Sequence, residues 1–256
     1  MLMKFTGTTR VIVLVCLFFL MIGCKNKQNQ KTLLVYCAAV VKPVLEEVAK
    51  EYYKETGIQI DLQYGGSGTL LANIRVAKQG DLYLSADASY MQQAIAYNII
   101  QQSKPLVAIT PVLAVSANNP KNITTIKDVC KKGIRFGIAN PDAASVGTVT
   151  KKILQESGNW DAVKKCVYVQ MPTVSDVANA IKLNTIDAGV IWDVTANQYK
   201  EIDAIELANF KQHKEHAVIG VLKWSKQQTE ALKFTEFLLQ NAKSKSVLKK
   251  LGYKMY

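Results

Sequence analysis

The chain has 256 residues, of which 49% are hydrophobic, and it carries a formal net charge of +12 at pH 7. This length is enough for a substantial buried core and for two domains of about a hundred residues each. The positive charge is almost all lysine, since arginine occurs only at positions 10, 75 and 135. Nucleic-acid-binding proteins usually have clustered arginines, so this distribution argues against that class of protein. We therefore expect a solvated lysine surface that attracts anions, and no nucleic-acid partner.

The N-terminus has the pattern of an export signal. Lys4 and Arg10 precede an unbroken apolar run over residues 11–22, which is shorter than the roughly 20 residues that a membrane span needs. The run ends in MIGC, residues 21–24, which resembles the lipobox of bacterial lipoproteins. The resemblance implies a signal peptide of residues 1–23, a lipid on Cys24 at the periplasmic or extracellular face of a membrane, and a polar tether over residues 24–31. The alternative is a plain secretory signal peptide.

Export also affects the interpretation of the other cysteines. Cys130 and Cys166 each precede a predicted strand in the same half of the chain, and an oxidising compartment permits disulfides, so these two could pair. Cys37 is left over, and we expect it to be a buried small hydrophobe. No spacing of residues resembles a zinc site, so we predict no metal ligands.

Strands and helices alternate through the first part of the chain. Apolar periodicity and turn residues predict strands at residues 32–37, 58–64 and 81–86, and helices at residues 43–57, 69–78 and 88–97. Residues 105–117 are then a long extended run interrupted by Pro111, long enough to leave one sheet and enter another. Such alternation predicts parallel strands with right-handed crossovers.

A second unit of the same kind follows. Helices are predicted at residues 123–131, at 148–156 and after a cap at Ser175, with strands at 134–139, 167–171 and 187–192. Residues 217–222 could return to the first sheet, and helices at 226–240 and 242–251 finish the chain. The predicted fold class is therefore α/β with two lobes, each a mostly parallel sheet flanked by helices. Residues 32–110 and 218–256 form lobe 1, residues 111–217 form lobe 2, and the ligand cleft lies between them.

The stretch from Gln63 to Met91 contains the clearest candidate for a binding site. It runs from a strand end through GGSG, residues 65–68, into a helix, with Ser67 at the expected N-cap position. Backbone N–H groups that converge at a helix start, together with the helix dipole, can hold a small anion. An ordinary capped turn between a strand and a helix is an equally common explanation of these residues alone.

Several ordered motifs carry a resemblance to a known family. They are VYCAA at residues 35–39, GGSGTL at 65–70, GDLYLSAD at 80–87, NPDAASVG at 140–147, SDVANAI at 175–181 and DAGVIW at 187–192. With these motifs, residues 33–253 resemble the substrate-binding protein of bacterial molybdate ABC transporters. The resemblance implies a type II periplasmic-binding-protein fold, a membrane permease as partner, and no cofactor beyond the molybdate or tungstate ligand. It implies no catalytic residues, and we expect a monomer, because a permease's binding partner must open and close.

In that family backbone amides and neutral hydroxyls hold a tetrahedral oxyanion between the lobes. Carried over by position, the implied contacts are Val40, Ser67, Val146, Val177 and Trp192. Two of them depart from the pattern, because Val40 stands where serine is usual and Trp192 where tyrosine is usual. Val40 can offer only its amide, and an indole donates but cannot accept. Compensating contacts could come from Thr69 or Ser145.

Three other interpretations stay open at this point. The same fold could bind sulfate, ferric iron or a small organic acid, although iron prefers phenolates and carboxylates and an organic acid prefers an arginine fork. An enzyme would need a base beside Ser67 or Ser85, and the only histidines, His213 and His216, have no obvious route to either serine. A purely structural surface lipoprotein would bind no anion at all.

Overall fold

The computed structural model describes residues 31–255, and residues from Thr32 onward form one compact unit. The predicted signal peptide, Cys24 and nearly all of the tether therefore lie outside the described residues. Within the described part, no helix is both long and apolar enough to cross a membrane.

The strands and helices follow the predicted alternation closely. The strands are β1 (Thr32–Ala38), β2 (Gln59–Gly65), β3 (Leu82–Ser85), β4 (Ile100–Ile109), β5 (Pro111–Ser116), β6 (Phe136–Ala139), β7 (Val167–Met171), β8 (Ala188–Trp192), β9 (Ile202–Ile205), β10 (Glu215–Leu222) and β11 (Lys254–Met255). The helices are α1 (Lys42–Thr56), α2 (Ser67–Ala77), α3 (Ala88–Ala96), α4 (Ser145–Glu156), α5 (Trp160–Cys166), α6 (Val174–Lys182), α7 (Asp193–Ala196), α8 (Ala208–Lys211), α9 (Gln228–Gln240) and α10 (Ala242–Lys250). Short 3-10 turns occupy Ala39–Val41 and Ile126–Cys130.

Two sheets divide these strands into two lobes. The first sheet has the order β11-β4-β10-β3-β1-β2, and the second has the order β7-β6-β8-β5-β9. We call the part built on the first sheet lobe 1 and the part built on the second sheet lobe 2. The extended run around Pro111 passes from β4 to β5 at Thr110, which confirms that it leaves one sheet and enters the other. β10 brings the chain back and lies wholly in the first sheet, starting before the predicted boundary at residue 217.

Both sheets are mixed, and the prediction that each is mostly parallel is wrong in this detail. β1 pairs in parallel with β2 and β3, and β6 pairs in parallel with β7 and β8. The segments that carry the chain between lobes do the opposite: β10 runs antiparallel to β3 and β4, and β5 runs antiparallel to β8 and β9. A strand that enters a sheet from the other lobe arrives without a crossover helix, so nothing forces it into the parallel sense.

The strand β1, which lies next to the edge strand β2, shows why the residues form a layered core. Val35 and Cys37 on one face of β1 pack into the larger apolar core, while Tyr36 on the other face packs against α2 and α3. Helices therefore cover both faces of this strand, as expected for a strand that is apolar almost throughout. Cys37 is a free thiol buried in this core.

Some local boundaries differ from the sequence prediction. The N-cap of α2 is Gly66 rather than Ser67, and the N-cap of α6 is Thr173 rather than Ser175. The predicted helix at residues 123–131 is only a 3-10 turn, while α4 begins at Ser145, earlier than predicted. The sequence does not predict the helix α5 or the edge strand β9, because both are too short to show a clear apolar period.

Candidate functional site

A small cavity lies between the lobes where strands and helix starts of both sheets meet. Uncharged residues line it: Ala38, Ala39, Val40, Gly65, Gly66, Ser67, Ala86, Ala144, Ser145, Val146, Thr173, Val174 and Trp192. Four of the five predicted contacts, Val40, Ser67, Val146 and Trp192, are thus brought together here. We call this space the anion cavity, after the small anion that the sequence predicts at residues 65–68.

Lobe 1 contributes the start of α2. Gly66 is the N-cap in an extended conformation, so Ser67 is the first helical residue and is 2% exposed. The Tyr83 hydroxyl donates to the Ser67 carbonyl oxygen at 2.8 Å and holds this turn against β3. Burial raises the pKa of Tyr83 well above its ordinary value, so the phenol stays a neutral donor.

The Ser67 side chain does not cap its helix. Its hydroxyl oxygen instead accepts the backbone N–H of Ala86 at 3.0 Å and the hydroxyl of Ser145 at 2.8 Å. A serine hydroxyl has one hydrogen to donate and two lone pairs. With both lone pairs occupied, the hydrogen of Ser67 remains to be donated to a ligand.

Lobe 2 contributes the start of α4. The turn before it is held by the Asn140 carbonyl oxygen, which accepts from the amides of Ala143 and Ala144. The start of α4 packs closely against the end of β6, and only a glycine at position 147 allows this, because a Cβ there would lie 2.3 Å from the Ala139 carbonyl oxygen. The first residues of α4 thereby lie beside the cavity with Ser145 3% exposed.

The start of α6 supplies a third group of backbone donors. The Thr173 hydroxyl caps this helix by accepting the amide of Asp176 at 3.2 Å, and Val174 lines the cavity. Val177 does not line it: this residue is fully buried, and its amide donates to the Thr173 carbonyl oxygen at 3.3 Å. The Val177 amide already has a hydrogen-bond partner within the helix. Val174 is therefore the residue whose backbone amide this helix start offers to the cavity.

Together these three helix starts explain what the cavity can do chemically. The first amides of a helix have no partner within the helix, and its N-terminus carries a partial positive charge. α2, α4 and α6 each have at least nine residues, and the first residue of each lines the same cavity. An array of this kind holds an ion that only accepts hydrogen bonds, and the lining residues provide no carboxylate to repel it.

Val40 and Trp192 close two further sides of the cavity. Val40 lies in the 3-10 turn after β1, and its carbonyl oxygen accepts a hydrogen bond from the Tyr253 hydroxyl near the C-terminus. The Tyr253 hydroxyl in turn accepts from Nε2 of Gln198 in lobe 2 at 3.3 Å. Trp192 ends β8 and is 1% exposed, so its ring is a buried wall of the cavity.

The lobes are in direct contact around the cavity. The amides of Gly68 and Thr69 both donate to the Ala143 carbonyl oxygen, at 3.0 Å and 3.2 Å. A Cβ at Gly66 would lie 2.4 Å from that same oxygen. The hydroxyls of Tyr90 and Thr148 lie 3.1 Å apart across the cleft. This arrangement is a closed form in which the first turn of α2 is pressed against lobe 2.

Sequence reasoning alone missed some of these residues. Tyr253 and Gln198 are far from Val40 in the chain, and no motif marks either of them. Thr173 lies two residues before the SDVANAI motif, and the pairing of a threonine with an acid three residues later is the signature of a capping box that could have revealed it. The sequence indicates Ser145 only as a compensating contact, and no local pattern predicts its bond to Ser67.

The cysteines of lobe 2 lie away from the cavity. Cys130 and Cys166 form a disulfide that ties the 3-10 turn Ile126–Cys130 to the end of α5. Neither residue lines the anion cavity. Cys24 lies outside the described residues.

A family model for bacterial extracellular solute-binding proteins matches residues 33–254. YvgL of Bacillus subtilis, provisionally named an ABC transporter substrate-binding lipoprotein, is 28% identical over 247 residues, which cover 92% of this chain and 94% of that protein. The molybdate-binding protein ModA of Escherichia coli is 23% identical over 190 residues, which cover 70% of this chain and 72% of ModA.

Solved structures share the fold at low identity. The periplasmic molybdate-binding protein of Azotobacter vinelandii has a TM-score of 0.72 at 20% identity and covers 86% of this chain and 98% of its own. The sulfate-binding protein SubI of Mycobacterium tuberculosis has a TM-score of 0.73 at 15% identity, covering 87% and 86%. Iron-bound HitA of Pseudomonas aeruginosa has a TM-score of 0.67 at 18% identity, covering 88% and 86%. These neighbours establish the two-lobed type II periplasmic-binding-protein fold.

Proposed function

Because the chain belongs to the family of bacterial extracellular solute-binding proteins, we propose that it captures a tetrahedral oxyanion, molybdate or tungstate, between its lobes and delivers it to the permease of an ABC importer. The observation that carries this proposal is the convergence of three helix starts and the Ser67 hydroxyl on a cavity without a charged side chain. The name of the E. coli relative supports molybdate, and the name of YvgL supports an ABC importer.

The donors of the cavity favour an anion that carries no proton. Molybdate, tungstate and sulfate are dianions with acceptor oxygens only, and charge-assisted hydrogen bonds to them are individually strong. Inorganic hydrogen phosphate carries a hydroxyl that needs an acceptor, and leaving that donor buried without one costs roughly 1–3 kcal/mol. The cavity therefore selects against inorganic phosphate by the same donors that bind molybdate.

The alternatives from the sequence find less support in the geometry. Ferric iron would need phenolates or carboxylates, and the lining residues provide neither. Nor do residues 31–255 contain a group of three or more His, Cys, Asp and Glu side chains that could hold a metal ion. An organic acid would need an arginine, but Arg135 is engaged by Asp187 at 2.9 Å and Arg75 lies over the Tyr97 ring. Sulfate is the remaining competitor, since it meets the same donors.

Closure and attachment complete the proposed cycle. The anion would bridge both lobes, and the permease would recognise the closed form after a hinge motion at the two crossing segments. Asp193 holds the first crossing in place, because its carboxylate accepts the Thr110 amide at 3.0 Å and its amide donates to the Thr110 carbonyl oxygen at 2.8 Å.

We propose further that a lipid on Cys24 anchors the exported protein to a membrane, which an acyl-labelling experiment on a Cys24→Ala variant would test.

Calorimetry of the purified full chain in detergent tests the proposal. Molybdate, tungstate, sulfate and inorganic phosphate would be titrated separately at pH 8. We expect tight binding of molybdate and tungstate, weaker binding of sulfate and the weakest binding of phosphate. Sulfate binding tighter than molybdate would assign the site to sulfate, and the absence of binding by all four anions would refute an oxyanion site.

A further inference from the structure

The Tyr253 hydroxyl joins the wall of the anion cavity to lobe 2. It donates to the carbonyl oxygen of Val40, a residue that lines the cavity, and it accepts a hydrogen bond from Nε2 of Gln198 at 3.3 Å. Val40 lies in the turn after β1 of lobe 1, whereas Gln198 follows α7 in lobe 2. One hydroxyl therefore takes part in a chain of hydrogen bonds that crosses from one lobe to the other.

The rest of Tyr253 is anchored in lobe 1. Its side chain is 4% exposed in the apolar core, and its amide donates to the Leu248 carbonyl oxygen of α10 at 2.9 Å. The next two residues form β11, which pairs with β4 in the first sheet. Burial raises the pKa of the Tyr253 phenol above its ordinary value, so the hydroxyl keeps the hydrogen that Val40 accepts. Tyr253 therefore moves with lobe 1, and its bond to Gln198 depends on where lobe 2 lies.

The bond to Val40 matters because the cavity wall at this point can donate only from its backbone. Val40 has no side-chain hydroxyl, so its amide is the one donor that it can offer to an anion. Within the 3-10 turn Ala39–Val41, the Ala39 carbonyl oxygen accepts the Lys42 amide, and Tyr253 holds the next carbonyl oxygen. Because each peptide unit is a rigid plane, these two bonds fix the orientation of the turn against the cavity.

The bond to Gln198 exists only when the lobes are closed. The side-chain nitrogen of Gln198 has two hydrogens, and it also donates to the Val194 carbonyl oxygen at 3.0 Å, within lobe 2. Opening would carry Gln198 away with lobe 2, while Tyr253 would keep its bond to Val40 within lobe 1. A contact that is present in one of two states shifts the equilibrium toward that state. The bond between Tyr253 and Gln198 therefore favours the closed form.

A neighbouring charge contact of the C-terminal segment is weaker. Lys254 lies with Glu206 and Lys211 of lobe 2 around a cavity at the first crossing segment. Lys211, and to a smaller extent Lys254, lowers the pKa of Glu206. All three side chains are exposed, so water and salt screen their attraction. The buried hydroxyl of Tyr253 is the contact of this segment that we expect to affect closure.

We propose that Tyr253 is a positioning residue of the oxyanion site. Its hydroxyl holds the Ala39–Val41 turn at the cavity wall and, through Gln198, holds lobe 2 against that wall in the closed form. This inference rests on the proposed function, since closure matters for binding only if the lobes hold an anion between them. A closed form with fewer contacts opens sooner, so loss of the hydroxyl should speed release of the anion and change its association little.

Tyr253→Phe tests the proposal, because it removes the hydroxyl and keeps the ring. In the full chain in detergent at pH 8, calorimetry should show a threefold to tenfold loss of molybdate affinity, on the order expected for one hydrogen bond. Release of labelled molybdate into an excess of unlabelled molybdate should accelerate by a similar factor. Tyr52→Phe is the matched control, since Tyr52 is 2% exposed and packs edge-on against Phe234 and Phe237 within lobe 1. It should bind and release molybdate as the native protein does.

Gln198→Met tests the path to lobe 2, because methionine keeps the length of the side chain and has no N–H donor. If Tyr253 acts through Gln198, both substitutions remove the same contact. The double variant should then bind molybdate less than about twofold more weakly than Tyr253→Phe alone.

The outcomes separate this inference from the proposed function. Fully additive losses of affinity in the double variant would overturn the coupling of Tyr253 to lobe 2. A Tyr253→Phe variant that is less stable but binds and releases molybdate normally would reduce Tyr253 to a residue of the core. In both cases the native protein still binds molybdate, so the proposed function stands. If the native protein binds neither molybdate nor sulfate, the proposed function and this inference fail together.

Discussion

The Ser145 hydroxyl donates to the Ser67 hydroxyl across the cleft, with 2.8 Å between the two oxygens. Ser67 belongs to lobe 1 and Ser145 to lobe 2, and both are the first residues of helices whose starts line the anion cavity. The bond occupies a lone pair of Ser67 and leaves its hydrogen free to be donated, as the proposed oxyanion site requires. Ser145 thereby supplies a hydroxyl beside the cavity in a chain that has valine at position 40.

Ser67→Ala should weaken molybdate binding about tenfold to hundredfold. It removes a hydrogen bond to a charged ligand and leaves the Ala86 amide without its acceptor. Ser145→Ala should have a smaller effect, because it removes only the partner that orients Ser67. Calorimetry measures both, with the exposed Ser246→Ala on α10 as control. Unchanged affinity in Ser67→Ala would remove this residue from the site.

Gly66→Ala should separate closure from folding. The backbone of Gly66 is in an ordinary extended conformation, so alanine fits the isolated lobe, but in the closed form its Cβ would lie 2.4 Å from the Ala143 carbonyl oxygen. We expect affinity to fall at least about tenfold, since a ligand must close the lobes against this clash. Thermal unfolding without ligand should change little.

Gly57→Ala is the control, because we expect it to lower stability without changing the affinity for molybdate. Its Cβ would meet nothing within 4 Å, but its φ of 71° is in the left-handed region, so the variant should lose about 1 kcal/mol of stability. Its affinity for molybdate should stay unchanged. Equal affinity of Gly66→Ala and the native protein would show that binding does not need the contact between Gly66 and Ala143.

The Cys130–Cys166 disulfide should matter for stability and not for binding. It closes a loop with a sequence separation of 36 residues, for which loss of the cross-link costs up to about 4 kcal/mol by the chain-entropy estimate. The double variant Cys130→Ala/Cys166→Ala should therefore unfold at a lower urea concentration while keeping its affinity for molybdate. A loss of affinity in the folded variant would contradict the separation of the disulfide from the cavity.

Glu215 should make stability depend on pH near neutrality. Burial, with a further contribution from the charge of Asp87, raises the pKa of Glu215 from 4.5 to about 7, and Lys152 opposes this rise. The folded protein then holds a proton that the unfolded chain has already released, so the free energy of unfolding falls as pH rises from about 4.5 to about 7. Urea unfolding at pH 5 to pH 8 should show this fall in the native protein.

Glu215→Gln is the matching variant, because it keeps the shape of the side chain and removes its charge. The decrease between pH 5 and pH 8 should be smaller in this variant, and at pH 8 it should be more stable than the native protein. Identical pH profiles of the two proteins would show that Glu215 ionises without a cost in the folded state.

The sequence by itself determined the order of the elements. The apolar run of β1, the apolar alternation of β2, the helical spacing of α1 and the extended run interrupted at Pro111 are local patterns, so they could be recognised without any partner. The same holds for the candidate site at residues 65–68, where a glycine turn precedes a helix start. Short elements such as α5 and β9 cannot be recognised in this way, since they form only against a core that is already assembled.

Only the tertiary structure decided which groups meet. The sense of β5 and β10 depends on which lobe each strand enters, and that is not encoded in their own residues. Whether Val174 or Val177 lines the cavity depends on where α6 begins, which the Thr173 cap fixes. The bonds from Ser145 to Ser67 and from Tyr253 to Val40 join residues that are distant in the chain. Such contacts exist because packing brings the elements together, and no local pattern specifies them.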